Sequence, residues 1–300
     1  MEKQIARDQV PGVAALTHEQ LALLPSGEDV AFYREHGYYI SKPIFTGEEI
    51  AALLRGSEAF YAGDVVEPPN PALARFRPTG DYGDGLRKHD YASFFSPDLA
   101  RLTRSPLLGA IAARLAGVPA IRLWHDQLLY KPVDRPEKTV AVGWHTDRQY
   151  WKTCTSTRML TAWIPFHDCD ESMGTITFVD GSQAWPDNTE GLDFFSTDLE
   201  GLEQHFNTGG RPVVKVPANL KRGQVSFHNC LTIHGSGSNR GTAPRRSIAV
   251  HLQDDANRYQ VYHRSDGKLA RHANDTLCRQ VDGLPDYTDP AMFPVLFQEG

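Results

Sequence analysis

Residues Thr139-Val140-Ala141-Val142-Gly143-Trp144-His145-Thr146-Asp147 read as a β-strand that runs into a histidine and a carboxylate two positions apart. On an extended backbone, positions i and i+2 project to one face, so the His145 imidazole and the Asp147 carboxylate can converge on a single ion. The strand is not alone. Beyond Pro119, short runs rich in β-branched and aromatic residues recur between turn signals, at 121–131, 139–145, 157–167, 174–180, 212–216, 224–228, 231–234 and 246–253. Short strands in such number, without long helices between them, predict an antiparallel sandwich or barrel.

The N-terminal third has a different texture. Residues 1–25 hold Pro11 and Pro25 and read as an irregular arm. From Glu28 to His36, Val30, Phe32 and Tyr33 suit a short helix that Gly37 stops as a C-terminal cap. Tyr38-Tyr39-Ile40 reads as a brief strand. Thr46 with Glu49 three residues on has the form of a capping box, and Ile50, Leu53 and Leu54 follow at helical spacing to Tyr61. Residues 62–93, rich in Pro, Gly and Asp, predict a long loop. A helix over 97–117, broken near Pro106, puts Leu99, Leu102, Leu107, Leu108, Ile111 and Leu115 on one apolar face. The fold class expected is mainly β with a helical N-terminal part. A double-stranded β-helix (jelly roll, cupin-like) core over 119–255 packs against helices and a site-facing loop in 26–118. An insertion at 181–211 carries a short helix over Asp198–Phe206, and 256–300 form a C-terminal extension, all within one domain spanning 1–300.

Apolar residues make up 40% and charged residues 23% of the chain, enough for a sizeable core. The net charge of −6 and the lack of a lysine or arginine run argue against nucleic-acid binding. No apolar run reaches the roughly 18 residues of a membrane span, and the first residues lack a signal-peptide core. Cys154, Cys169, Cys230 and Cys278 contain no C-x-x-C pair, which suits reduced thiols in a cytoplasmic protein. The expected partner is a small molecule.

An H-x-D triplet arises readily by chance among 12 histidines and 37 acidic residues, so a solvated pair at a strand end is the plainer reading of the motif alone. Its surroundings change that. His234, at the far end of the β-rich region, opens Gly235-Ser236-Gly237, small residues that permit close backbone approach. Two histidines and one carboxylate on one side of a metal make the facial triad of non-heme Fe(II) oxygenases, with positions left for cosubstrate and O2. His125, His167, His228 and His251 read as packed or hydrogen-bonded histidines, with His228 the first to check. Arg245 or Arg246, on opposite faces of the last strand, can take the carboxylate of a 2-oxo acid bidentately.

The chain resembles the phytanoyl-CoA dioxygenase family of Fe(II)/2-oxoglutarate-dependent oxygenases. The resemblance rests on Trp144-His145-Thr146-Asp147, Met159-Leu160-Thr161-Ala162-Trp163-Ile164-Pro165-Phe166, Gly174-Thr175-Ile176-Thr177-Phe178-Val179-Asp180-Gly181-Ser182, and His234-Gly235-Ser236-Gly237-Ser238-Asn239 leading to Arg245-Arg246. The phrase Phe32-Tyr33-Arg34-Glu35-His36-Gly37-Tyr38 is in the same style, so the likeness runs from 30 to 253. It departs from the family at Asp180 and Gln183, where a proline and a histidine are common, and at Met173-Gly174, where Gly-Pro is.

The resemblance implies that His145, Asp147 and His234 bind Fe(II), and that Arg245 and Ser236 hold 2-oxoglutarate with Gln127, Trp163 and Lys88 nearby. O2 is the third reactant. Succinate and CO2 leave as a substrate C–H bond is oxidised. Halogenating relatives carry a small residue in place of Asp147, so hydroxylation or a related oxidation is implied. Trp144, Tyr150, Trp151 and Phe95, with the loops 62–93 and 181–211, are candidates for the substrate wall. They suit a hydrophobic or ring-bearing metabolite, such as one of secondary metabolism. Arg148, Lys152 or Arg87 could meet a substrate carboxylate. A cupin-like binder without turnover, and a metal enzyme that needs no 2-oxoglutarate, stay open on these residues alone.

Overall fold

The computed structural model describes residues 16–80, 82–188 and 190–299. The expected N-terminal arm falls largely outside the described residues. The elements that position the site are α1 (His18–Leu21), α2 (Gly27–His36), β1 (Tyr38–Ile40), α3 (Gly47–Tyr61), β2 (Arg87–Asp90), α4 (Pro97–Thr103), α5 (Pro106–Ala116), β3 (Ala120–Lys131), β4 (Val142–His145), β5 (Leu160–Pro165), β6 (Thr177–Val179), α6 (Leu199–Glu203), β7 (Lys215–Pro217), β8 (Ser226–Asn229), β9 (His234–Ser236), β10 (Arg245–Asp254), α7 (Asn274–Leu277), β11 (Gln280–Val281), β12 (Leu284–Pro285) and β13 (Val295–Gln298).

Two antiparallel sheets form the jelly roll. The larger runs β1-β8-β5-β10-β3-β13, with β2 on the same edge of β3, and the smaller runs β4-β9-β6-β7. Strand alternation decides what each face does. On β10, Ile248, Val250 and Leu252 are fully buried in the cluster they share with α3, α4 and α5, whereas Arg245, Ala249 and His251 turn to the space between the sheets. On β5, Leu160, Ala162 and Ile164 face the helices, and Thr161 and Trp163 face inward. Burial of each large aliphatic side chain is worth roughly 1.5–3 kcal/mol. A slip by one residue would press Arg245 and His251 into the apolar layer, so the helices fix the register that faces the inner residues inward.

The helical expectations hold in detail. Ser26 and Thr46 cap α2 and α3 with reciprocal capping boxes, and Gly37 closes α2 in the left-handed region at φ 82°. Pro106 divides the third helical stretch into α4 and α5. Gln183, one of the departures from the family pattern, donates to the Arg34 and Glu35 carbonyls and so ties the 181–184 turn to the end of α2. Two elements differ from expectation. The stretch 231–234 is a turn followed by a strand that begins at His234, because Asn229 accepts from the Leu231 and Thr232 amides through its side chain and carbonyl. The 62–93 loop contains β2, whose Arg-Lys-His-Asp sequence lacks the apolar run that marks a strand. The C-terminal extension is tied to the core, since β13 pairs with β3 and Phe293 stacks on Trp124 at 5.2 Å. Among the described residues no helix is long and apolar enough to cross a membrane.

Candidate active site

Strand pairing in the smaller sheet brings two of the candidates together. β4 and β9 run antiparallel with His145 opposite His234, and their ring centroids lie 4.1 Å apart. Both rings are fixed in the same way. His145 Nδ1 lies 2.8 Å from the Gly143 carbonyl, and His234 Nδ1 lies 3.0 Å from the Thr232 carbonyl. A carbonyl only accepts, so each Nδ1 carries the proton and each Nε2 keeps a lone pair for a cation. Asp147 follows β4 in a short 3-10 turn, with its carboxylate 3.8 Å from His234 Nε2. The three buried ligand atoms lie within 4.8 Å of one another.

The surrounding shell orients this group. Thr161 Oγ1 donates to Asp147 Oδ2 at 2.6 Å and lies 2.7 Å from His251 Nδ1. A hydroxyl has one proton to give, so Thr161 accepts from His251, whose Nε2 is left as an acceptor. His228 Nε2 stands 3.3 Å from the same carboxylate oxygen. Burial opposes the charge on Asp147, but His234, His228 and His251 outweigh it and hold the carboxyl well below its usual range. Burial also pushes His145 and His234 down. Two neutral nitrogens and one carboxylate oxygen fit a divalent transition metal.

Beside the triad, the cavity continues between the sheets to Gln127, Trp163, Ser236 and Arg245. Arg245 is buried, donates from Nη1 to the Gly174 carbonyl at 2.5 Å, and approaches Ser236 Oγ at 3.5 Å. Its Nε has no partner, and burial lowers its pKa to about 10. The fully buried Lys131 donates from Nζ to Ser236 Oγ and to the Gly237 carbonyl, each at 2.6 Å, and burial lowers its pKa strongly. Neither cation has a carboxylate partner among the described residues. A buried charge without a counter-ion costs several kcal/mol. An anion bound at Arg245 would offset that cost.

The family model for phytanoyl-CoA dioxygenase (PhyH) matches residues 33–247. The chain belongs to the phytanoyl-CoA dioxygenase family. It is a non-heme Fe(II)- and 2-oxoglutarate-dependent oxygenase, with O2 as cosubstrate. Among its relatives, the ectoine dioxygenase of Bordetella parapertussis is 25% identical over 243 residues, 74% of this chain and 73% of that one. Peroxisomal phytanoyl-CoA dioxygenase of Rattus norvegicus is 22% identical over 275 residues, 89% of this chain and 80% of that one. The alpha-ketoglutarate-dependent carbocyclase SnoK of nogalamycin biosynthesis shares the fold, with a TM-score of 0.67 at 24% identity over 90% of this chain and 96% of that one.

On the other side of His145, Asp147 and His234, a second cavity of about 270 Å³ opens to solvent. Gln127, His145, Asp147, Phe194 and His251 line both cavities. Of the residues expected in the substrate wall, Tyr150 and Trp151 line this outer cavity. Lys88 also faces it, and not the Arg245 end, with Nζ paired to Asp90 at 3.0 Å.

Four expectations are corrected, Trp144 and Phe95 for the wall and Arg148 and Arg87 for a substrate carboxylate. Trp144 neighbours His145 on the strand and so points the opposite way, into a cluster with Val179, Trp185, Leu192, Leu202 and Ile233. Phe95 is fully buried in the core, 6.3 Å from Phe60. Arg148 folds back onto the Trp151 carbonyl. Arg87 is held over Tyr61, Tyr82 and Tyr130 at 5.4, 5.0 and 4.4 Å, because alternation along β2 sends Lys88 and Asp90 inward and Arg87 outward. Lys152 pairs with Asp187 at 3.6 Å. Arg246 is bound to Glu58 at 2.7 Å on the outer face, which leaves Arg245 as the inward arginine.

The 181–211 insertion reaches the wall as expected, through Phe194, a residue that the sequence alone did not single out. Its ring stands 4.9 Å from His145, and its carbonyl accepts from the Gly143 amide at 3.0 Å. A Cβ at Gly143 would lie 2.0 Å from the Asp193 carbonyl, so glycine is required where the 193–196 turn crosses β4. Glycine within the strand was the available signal. Thr161 and Lys131 also escaped notice, although each shares an inward face with Trp163 or Gln127 two or four residues away.

Proposed function

We propose that the protein oxidises a C–H bond, most simply by hydroxylation, of a small ring-bearing metabolite held in the outer cavity. His145, Asp147 and His234 hold Fe(II), and Thr161 and His228 keep the Asp147 carboxylate in place. Arg245 binds the distal carboxylate of 2-oxoglutarate with Ser236 beside it, while Trp163 and Gln127 wall the cosubstrate. When bound there, Fe(II) and 2-oxoglutarate would supply the oxidation, with one oxygen atom of O2 ending in succinate, the other in the product, and CO2 lost from the 2-oxo acid.

The observation that carries this reading is a buried guanidinium with an unpartnered Nε in the same cavity as three convergent metal-ligand atoms. Tyr150, Trp151 and Phe194 favour a ring at the outer side of the triad. The name of the nogalamycin carbocyclase supports a secondary metabolite. The presence of Asp147 favours oxygen transfer over halogen transfer. Succinate release from a metabolite panel, with O2 and Fe(II), tests the assignment. Arg245→Ala should raise the 2-oxoglutarate requirement while Arg246→Ala leaves it unchanged. The reverse pattern would assign the cosubstrate to the other arginine.

A further inference from the structure

We infer that the outer cavity selects a substrate carrying a carboxylate or phosphate, and that Arg264 and Arg271 of the C-terminal extension read that anion. The inference rests on the proposed assignment of the metal and 2-oxoglutarate to the inner cavity. Three cationic side chains, Lys88, Arg264 and Arg271, line the outer cavity, against two carboxylates, Asp90 and Asp147. Asp90 is already paired with Lys88, and Asp147 belongs to the metal group. Arg264 and Arg271 make no ion pair or side-chain hydrogen bond among the described residues. In a chain of net charge −6, an excess of positive charge at a cavity mouth concentrates anions there.

Both arginines stand on fixed backbone. The 262–270 segment is a hairpin in which the Arg264 amide donates to the Lys268 carbonyl and the Ala270 amide to the Tyr262 carbonyl, each at 2.8 Å. Arg271 precedes His272, whose ring stacks on Trp124 at 5.0 Å. The floor of the cavity is polar as well. His125 is 4% exposed and has no partner on either ring nitrogen, and His251 is 4% exposed with Nε2 unpartnered. A neutral imidazole at His125 offers one donor and one acceptor, while His251 offers an acceptor. Buried polar atoms of this kind ask for polar partners, so the ligand joins a hydrogen-bonding body to an anionic end. Tyr150 and Trp151 leave room for a ring between the two.

The test titrates the full chain with pairs of compounds that differ in charge, followed by quenching of tryptophan fluorescence, to which Trp151 in the cavity wall contributes. The pairs are 4-hydroxyphenylacetate with 4-hydroxyphenylacetamide, and phenyl phosphate with phenol. The charged member should bind at least tenfold more tightly in one pair, and which pair responds separates a carboxylate from a phosphate. Arg264→Gln/Arg271→Gln should abolish that preference with an unchanged melting temperature, since both side chains are exposed. Equal binding within each pair, including binding of neither member, overturns the inference, as does a preference that survives the double substitution. Failure of the underlying metal and cosubstrate assignment shows separately, as the absence in the native chain of a 2-oxoglutarate-dependent visible band with Fe(II).

Discussion

The two ends of the cavity are built differently. The inner end, from His145 and His234 to Arg245, consists almost entirely of strand residues whose direction is set by pairing and alternation. The outer end keeps a floor of strand residues, His125, Gln127, His145 and His251, but its rim is assembled from β2, the 193–196 turn and the 259–273 segment, which are far apart in sequence and joined mainly by hydrogen bonds and ring contacts. A rigid floor that fixes metal and cosubstrate is thus combined with a rim of loops that chooses what enters. This division suits a family in which similar folds carry different substrates.

Substitutions sharpen that contrast in descending order of effect. Asp147→Ala at the inner end should abolish substrate-dependent succinate formation, and full turnover with iron still bound would break the assignment. Arg245→Ala removes a charge-assisted contact worth about 2 kcal/mol, so the 2-oxoglutarate KM should rise roughly 30-fold. Thr161→Val removes the hydroxyl that orients Asp147, and outer-shell losses of this type weaken metal affinity about 10- to 100-fold, readable by Fe(II) titration. At the outer end, Tyr150→Ala should raise the substrate KM several-fold without altering the KM for 2-oxoglutarate, because Tyr150 lines the outer cavity and not the inner one. A change in both constants would mean that the two ends are not separable. Trp144→Ala should lower stability by about 3 kcal/mol in thermal or denaturant unfolding, with little change in either KM, because Trp144 packs away from the metal.

The same division governs what could be read from the chain. Period-two alternation and the spacing from His145 to Asp147 pointed to the inner face, and the apolar stripe from Leu99 to Leu115 located the covering helices. Alternation separates Arg245 from Arg246, and the same rule turns Trp144 away from His145 and the cavity. Arg87 and Phe95 failed for another reason. Local sequence did not reveal that β2 forms inside a Pro- and Gly-rich loop, or that Phe95 packs on Phe60 across two elements. The 181–211 insertion was expected in the wall, but which of its residues reaches the cavity, and the approach of Arg264 and Arg271, depend on tertiary contacts, for which Gly143 left the one local sign.

The central claim is that metal and 2-oxoglutarate share the inner end of the cavity, joined through the triad and Arg245. Anaerobic addition of 2-oxoglutarate to the Fe(II)-loaded chain tests it most directly. A visible charge-transfer band should appear in the native chain and require much more 2-oxoglutarate in Arg245→Ala, although Fe(II) still binds. An identical band at identical 2-oxoglutarate concentrations in both proteins would contradict the claim.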